Sequence, residues 1–164
     1  MEFQTLYWRF KDKIYNYFYY RTGFNKSVAE DLTSTVFLSA LEHFDSYDKS
    51  RPFQPWIFRI AHNLLVNHYR QTKPQISWEE LQGMEMGVVD DNYSLEGEID
   101  RKIIIEKLKL LAPRDAELLT MKYLQEMSYT EMSQALEEEE GALRTATHRA
   151  AAKLANLIKP HAHE

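Results

Sequence analysis

The chain has 164 residues with 44% apolar side chains, enough for one ordinary domain or two small ones and too apolar for wholesale disorder. It contains no cysteine, which excludes a disulfide framework, a thiolate nucleophile and a Cys-ligated zinc site. The formal net charge of −5 is unevenly spread: residues 1–75 carry 10 Lys/Arg against 7 Asp/Glu, residues 76–98 carry 7 acids and no base, and residues 99–164 carry 10 against 11.

The opening MEFQTLYWRFKDK sets charges among its apolar residues, so it is expected to begin a helix and not a signal peptide. Phe3, Leu6, Tyr7, Phe10, Ile14, Tyr17 and Phe18 recur at i, i+3, i+4 and i+7, one apolar face of that helix. Ser27 and Glu30 read as a capping box before a second helix that buries Val28, Leu32, Val36, Leu41 and Phe44. Pro52 and Pro55 punctuate a loop. A third helix is expected from about Trp56 to Arg70, with Trp56, Ile57, Ile60, Ala61 and Leu64 on one face.

Periodicity then stops. Gln71 to Glu98 holds Pro74, Gly83, Gly87, Gly97 and all of the central acids, the composition of a linker, with a short capped turn at Ser77-Trp78-Glu79-Glu80. Ile103, Ile104, Leu108 and Leu111 suggest a helix ending before Pro113, and Ala116 to Tyr123 another. Ser128-Tyr129-Thr130-Glu131 is a capping box opening a short helix through Leu136. Glu137 to Glu140 forms a polar corner, and a last helix runs from about Gly141 to Ile158 with Leu143, Ala146, Ala150, Leu154 and Leu157 inward. A short capped helix, a tight turn and a longer cationic helix make a helix-turn-helix. The expected fold is all-α: two small helical domains, residues 1–73 and 99–164, joined by an acidic linker at 74–98.

On the third helix Asn63 and Asn67 are four apart and share a face, extended by His68 and Arg70. Amides can read base edges and aromatics can support unstacked bases. The same pattern also fits an amphipathic helix with a solvated polar face. His161-Ala162-His163 reads as a solvated tail, and His62 with His68 does not form a His-Glu-x-x-His metal site. No residues assemble a nucleophile, a base and an oxyanion site, so neither an enzyme, a cofactor nor a small-molecule substrate is expected.

Two stretches carry a resemblance. Ala29-Glu-Asp-Leu-Thr-Ser-Thr-Val-Phe-Leu38 followed by Phe53-x-x-Trp-Ile-Phe-Arg-Ile-Ala-His-Asn63 resembles domain 2 of the extracytoplasmic-function (ECF) sigma factors. Leu111-Ala-Pro-Arg-Asp, Ser128-Tyr-Thr-Glu-Met-Ser and Gly141-Ala-Leu-Arg-Thr-Ala-Thr-His-Arg-Ala150 resemble their domain 4. The order is right, and the two matches leave out little beyond the linker and the last few residues.

The resemblance implies a promoter-specificity subunit of bacterial RNA polymerase, active in the cytoplasm and held in reserve by an anti-sigma factor, often at the membrane. Asp31, Leu32, Ser34, Thr35 and Leu38 would dock on the polymerase. Phe53, Trp56, Arg59, Asn63, Asn67, His68 and Arg70 would meet the −10 element, where extruding a base costs a few kcal/mol. Arg59 and Arg70 would neutralise phosphates there. Arg144, Thr145, His148, Arg149 and Lys153 would meet the −35 element, an arginine serving either guanine or a phosphate. The linker's acids would mimic a nucleic-acid backbone in the polymerase, or serve as a self-repelling spacer.

Two departures stand out. Ser34-Thr35 replaces a longer amide-acid pair, and four glutamates replace the usual Gly, apolar and Ser/Thr residues of the helix-turn-helix corner. Carboxylates there repel phosphate, so a weak, salt-sensitive −35 contact is expected. An autonomous helix-turn-helix regulator, or a sigma-like protein that binds without initiating, remain the rival readings.

Overall fold

A computed structural model describes residues 2–72 and 101–159, and the acidic stretch with its Ser77 turn and the terminal histidines lie outside the described residues. All regular structure among the described residues is helical.

Helix α1 (Phe3–Arg21) buries Leu6, Phe10, Ile14, Tyr17 and Phe18, of the stripe its spacing predicts, with Phe3 and Tyr7 half-buried at its edge, and also buries Arg21, which the spacing did not include. It ends where Gly23 and Phe24 take φ values of 66° and 61°, the left-handed region that lets the chain reverse. Helix α2 (Lys26–Glu42) starts earlier than the Ser27 box implies. Asn25 is the cap, its side chain accepting from the Val28 amide at 3.1 Å, and Ser27 and Glu30 fall inside the helix. The buried side of α2 is Ala29, Val36, Phe37 and Ala40, while Leu41, expected in the core, is 55% exposed. Val28, Leu32 and Phe44 are half-buried. The reason is angular. Ala29, Val36 and Ala40 are seven and four apart, so they define one inward line; Phe37 flanks it on one side, and Leu38 and Leu41 fall on the far side.

Helix α3 (Phe53–Thr72) begins three residues before the expected Trp56, because Pro55 sits in its first turn, where no intrahelical amide is needed. Its deepest side chains are Phe53, Ile57, Phe58, Ala61 and Leu65; Trp56, Ile60 and Leu64 are half-buried on a neighbouring side.

The second half comprises α4 (Arg101–Leu108), α5 (Pro113–Leu119), α6 (Tyr129–Leu136) and α7 (Glu140–Ile158). Pro113 opens α5, which therefore starts before the expected Ala116, and a π-type turn over Thr120–Leu124 follows it, with the Gln125 amide reaching the Thr120 carbonyl at 2.9 Å. The Ser128 box is present in both directions. Glu137 closes α6 at φ 57°, ψ 42°, turning the chain into α7.

One apolar cluster runs through both halves. Tyr17, Phe18, Ile57, Phe58 and Leu65 of the first pack with Leu118, Met121, Met132, Leu136 and Leu143 of the second. A second cluster, built on Leu108, Leu119, Leu124, Ala150 and Leu154, joins α4, α5 and α7. No described helix is long and apolar enough to cross a membrane.

Candidate nucleic-acid interface

Between α2 and α3 lies a cleft of about 460 Å³ lined by Thr35, Ser39, His43, Trp56, Asn63 and Asn67, among others. Both asparagines are exposed on its α3 wall. At one end the Trp56 ring stands 5.0 Å from Tyr47 and 5.4 Å from Phe53, an aromatic cage over the start of α3. The loop leading into it is tied by Asp48, which accepts from the Ser50 amide and hydroxyl at 2.9 and 2.6 Å; these bonds, with Arg51 beside them, hold its carboxyl below the usual range. The Tyr47 hydroxyl donates to the Arg51 carbonyl.

Of the side chains expected to meet a −10 strand, Asn63, Asn67 and Trp56 share this cleft and Arg70 is exposed beyond it. Phe53 departs from expectation: it is 6% exposed and packs on Phe10 at 5.2 Å, so it supports the cage from beneath and has no face for a base. His68 is half-buried, and that burial lowers its pKa.

The outward side of α2 presents Asp31, Ser34, Thr35, Leu38 and Leu41, with Leu38 63% exposed; Leu32 instead leans on the core. A stripe of exposed leucines beside short polar side chains suits protein docking. Leu41 was missed as part of it because periodicity locates an apolar residue without saying whether water or protein covers it.

On α7, Arg144, Thr145, His148 and Arg149 line one shallow exposed cleft. The Arg144 guanidinium lies 5.0 Å above the Tyr129 ring, shared with the Lys122 ammonium at 4.2 Å. Lys153 stands apart from them: its ammonium contacts Asp115 at 3.1 Å with both side chains about 15% exposed, so its charge is taken up inside the fold.

The two halves meet through polar groups that sequence reasoning did not single out. Glu117 is fully buried, and its Oε1 accepts from the Tyr17 hydroxyl and faces His62 Nδ1, both at 2.6 Å. Burial alone would raise the Glu117 pKa, but the hydrogen bond and charge of His62, with Tyr17 and Arg21, hold it below the ordinary value. Burial likewise opposes charge on His62, and Glu117 outweighs it, so the His62 pKa is raised. Burial and then the Glu117 charge push Tyr17 well above its ordinary value. Arg21 donates to the Pro113 carbonyl at 2.6 Å and Gln54 to Glu131 at 2.8 Å. Arg59 donates to the Gln134 carbonyl at 2.6 Å and lies 3.5 Å from the Glu137 carboxylate. The signal for Glu117 was its setting: an acid within Ala116-Glu117-Leu118-Leu119, in a helix whose flanking residues serve two different cores.

Comparison with known proteins finds two family models along the chain, Sigma-70 region 2 over residues 6–75 and Sigma-70, region 4 over residues 101–154. The ECF RNA polymerase sigma factor BldN of Streptomyces coelicolor is 32% identical over 160 residues, covering 95% of this chain and 60% of BldN. SigW of Bacillus subtilis, another ECF sigma factor, is 29% identical over 150 residues, covering 85% of this chain and 80% of SigW. Among solved structures, the sigma factor RpoE from Bartonella quintana, in complex with the anti-sigma factor NepR, aligns with a TM-score of 0.74 at 18% identity over 97% of this chain and 98% of RpoE. CnrH in complex with the cytosolic domain of CnrY aligns at 0.68 and 21% identity, covering 95% and 86%. These two likenesses establish a shared helical fold. With both models matched in order on one chain, and relatives matched over most of it, the chain belongs to the ECF sigma factors of RNA polymerase.

Proposed function

We infer that the protein directs core RNA polymerase to promoters and helps open them, doing no bond chemistry itself. Residues 1–73 act as sigma domain 2, residues 99–164 as sigma domain 4, and the acidic 74–98 stretch as the connection between them. The exposed stripe of α2 (Asp31, Ser34, Thr35, Leu38) docks on the polymerase. Asn63 and Asn67, with Trp56 and the aromatic cage, take bases of the −10 non-template strand, and Arg70 neutralises phosphate. Arg144, Thr145, His148 and Arg149 on α7 enter the major groove of the −35 element. The protein works in the cytoplasm, and an anti-sigma factor holds it in reserve; the similar fold of RpoE in its complex with the anti-sigma factor NepR supports such a partner.

The observation that carries this reading is the α2–α3 cleft, where two exposed amides four residues apart stand beside an aromatic cage. Reconstituted transcription tests it, using core bacterial RNA polymerase, this protein and a genomic fragment library. Discrete new start sites should appear and should be lost with Asn63→Ala. Specific duplex binding without polymerase would instead identify an autonomous regulator.

A further inference from the structure

The loop between α2 and α3 has clefts on both of its sides. Ser46 and Trp56 line the Asn63 cleft and also a second, of about 310 Å³. Tyr47, Arg51 and Pro52 line that second cleft and also a third, of about 390 Å³, which reaches across to α1. The three therefore follow one another around the loop. Neither asparagine lines the third. Its walls include Arg9, Phe10, Tyr47, Lys49, Arg51 and Gln54, and its volume is that of a small-molecule site.

Cations gather here without acids to match them. Arg9 and Lys13 are four apart on α1 and share a face, lying 5.5 and 6.0 Å from the Phe10 ring. Lys13 also donates to Gln54 at 3.0 Å, and Lys49 lies 5.2 Å from the Phe44 ring. Arg51 comes within 3.5 Å of Asp48, with both side chains more than half exposed. No carboxylate among the described residues pairs with Arg9 or Lys49. Glu131, the acid at the cleft, is already engaged through both oxygens, by the Gln54 amide at 2.8 Å and the Ser128 amide at 3.3 Å. Like charges four apart on a helix destabilise it, and an anion set among them reverses that effect. A guanidinium matches a phosphate through two parallel hydrogen bonds, and a cationic groove with aromatic walls suits a nucleic-acid strand.

We propose that this third cleft binds the phosphate of a nucleotide, held by Arg9, Lys49 and Arg51 over an apolar floor of Phe10 and Tyr47, as a subsite separate from the Asn63–Asn67 cleft. The run of clefts around the loop favours the opened promoter strand as the source, and in that respect the proposal rests on the sigma-factor reading above. A free nucleotide carries the same group.

Lys49 supplies a local readout. Full-length protein at low salt is acetylated with an N-hydroxysuccinimide ester, and the rate at each lysine is followed by peptide mass spectrometry. Lys26, 78% exposed, is the control. The probes are a short oligothymidylate, thymidine diphosphate and thymidine. Acetylation of Lys49 should slow about threefold when a phosphorylated probe stands at about twice its Kd, because the free fraction falls as 1/(1 + [L]/Kd). Thymidine should give no protection, and Asn63→Ala should leave the protection by thymidine diphosphate unchanged. Protection by the oligonucleotide alone supports the subsite with the strand as its source; protection by the diphosphate as well supports it with a free nucleotide as a second occupant. No protection by either, or equal protection of Lys26, would overturn it. Arg9→Gln with Lys49→Gln, both exposed positions, tests the charge directly. The slope of log K against log salt for the oligonucleotide, read by fluorescence anisotropy, should become shallower by about 1.4, two contacts at about 0.7 each. An unchanged slope would overturn the proposal. Promoter start sites from the wild-type chain, with no protection of Lys49 by any probe, would sink the subsite and leave the sigma-factor reading standing. Protection in a wild-type chain that gives no transcripts would support the phosphate contact and remove the sigma-factor reading.

Discussion

Glu117 offers the sharpest test of how the two halves are held. Its carboxylate is fully buried, receives the Tyr17 hydroxyl at 2.6 Å, faces His62 at 2.6 Å, and leaves Oε2 without a hydrogen-bond partner among the described residues. Glu117→Ala strands a phenol and an imidazole around a void, and deleting one member of a buried pair costs about 3–5 kcal/mol. Glu117→Gln keeps the volume, and its carbonyl oxygen can accept from Tyr17 and from neutral His62. The cost then falls to about 1–2 kcal/mol, the difference between a charge-assisted and a neutral hydrogen bond. Tyr17→Phe in the Gln background should cost less than Tyr17→Phe alone, because the partner it abandons no longer carries charge; a coupling of about 0.5–3 kcal/mol is expected for contacting groups. Urea unfolding of the full chain, followed by tryptophan fluorescence and far-ultraviolet dichroism together, measures all of these. In melting temperature, each kcal/mol should appear as about 2–4 °C for a chain of this size. An alanine variant within about 0.5 kcal/mol of wild type, the range of ordinary surface changes, would refute the reasoning. It would mean that Glu117 is solvated in solution and that the halves are not packed as described.

The same group predicts a pH dependence. The His62 pKa is raised in the folded state, so its contribution is complete below the ordinary histidine value near 6.5 and is lost as pH rises through the raised value. The Glu117 pKa is lowered, so its contribution is present above the ordinary value near 4.5 and is lost as pH falls through the lowered one. The interface should therefore be firmest between those limits and loosen on the alkaline side. Tyr17, Arg21, Arg114 and Glu138 are among the groups that act on the pair, and His62→Gln should flatten the alkaline limb of a stability profile. Leu38→Asp on the exposed stripe of α2 should weaken polymerase binding at least tenfold while leaving the urea midpoint within error, because a 63%-exposed side chain has little burial to lose; surface plasmon resonance against core enzyme reads the first and denaturation the second. Ser128→Ala removes the hydroxyl that accepts from the Glu131 amide at 3.1 Å, and loss of such a cap should cost about 1 kcal/mol in urea.

Much of the local architecture was legible from the residues alone, for reasons that are themselves local. The inward stripe of α1, the Ser128 box and the tight corner at Glu137 follow from side-chain periodicity and from hydrogen bonds within a few residues. Where local signals competed, the reading slipped. Ser27 and Asn25 could both cap α2, and only the backbone's exit from the Gly23–Phe24 turn selects Asn25. Leu41 has the character of a core residue, yet it stays 55% exposed among the described residues. Phe53 carries a motif's aromatic ring, yet Phe10 claims its face.

The sequence by itself determined the helices, the two-part organisation, the acidic stretch and the family, because each is written in spacing or in motifs along the chain. Only the tertiary structure decided that α6 packs on α3, that Glu117 meets Tyr17 one hundred positions away, and that Glu137, though exposed, lies within 3.5 Å of Arg59. Such contacts join residues with no regular separation in sequence. They arise because α5 must bury Leu118 in one core and Leu119 in another, and a helix with protein on both sides carries Glu117 inward with them.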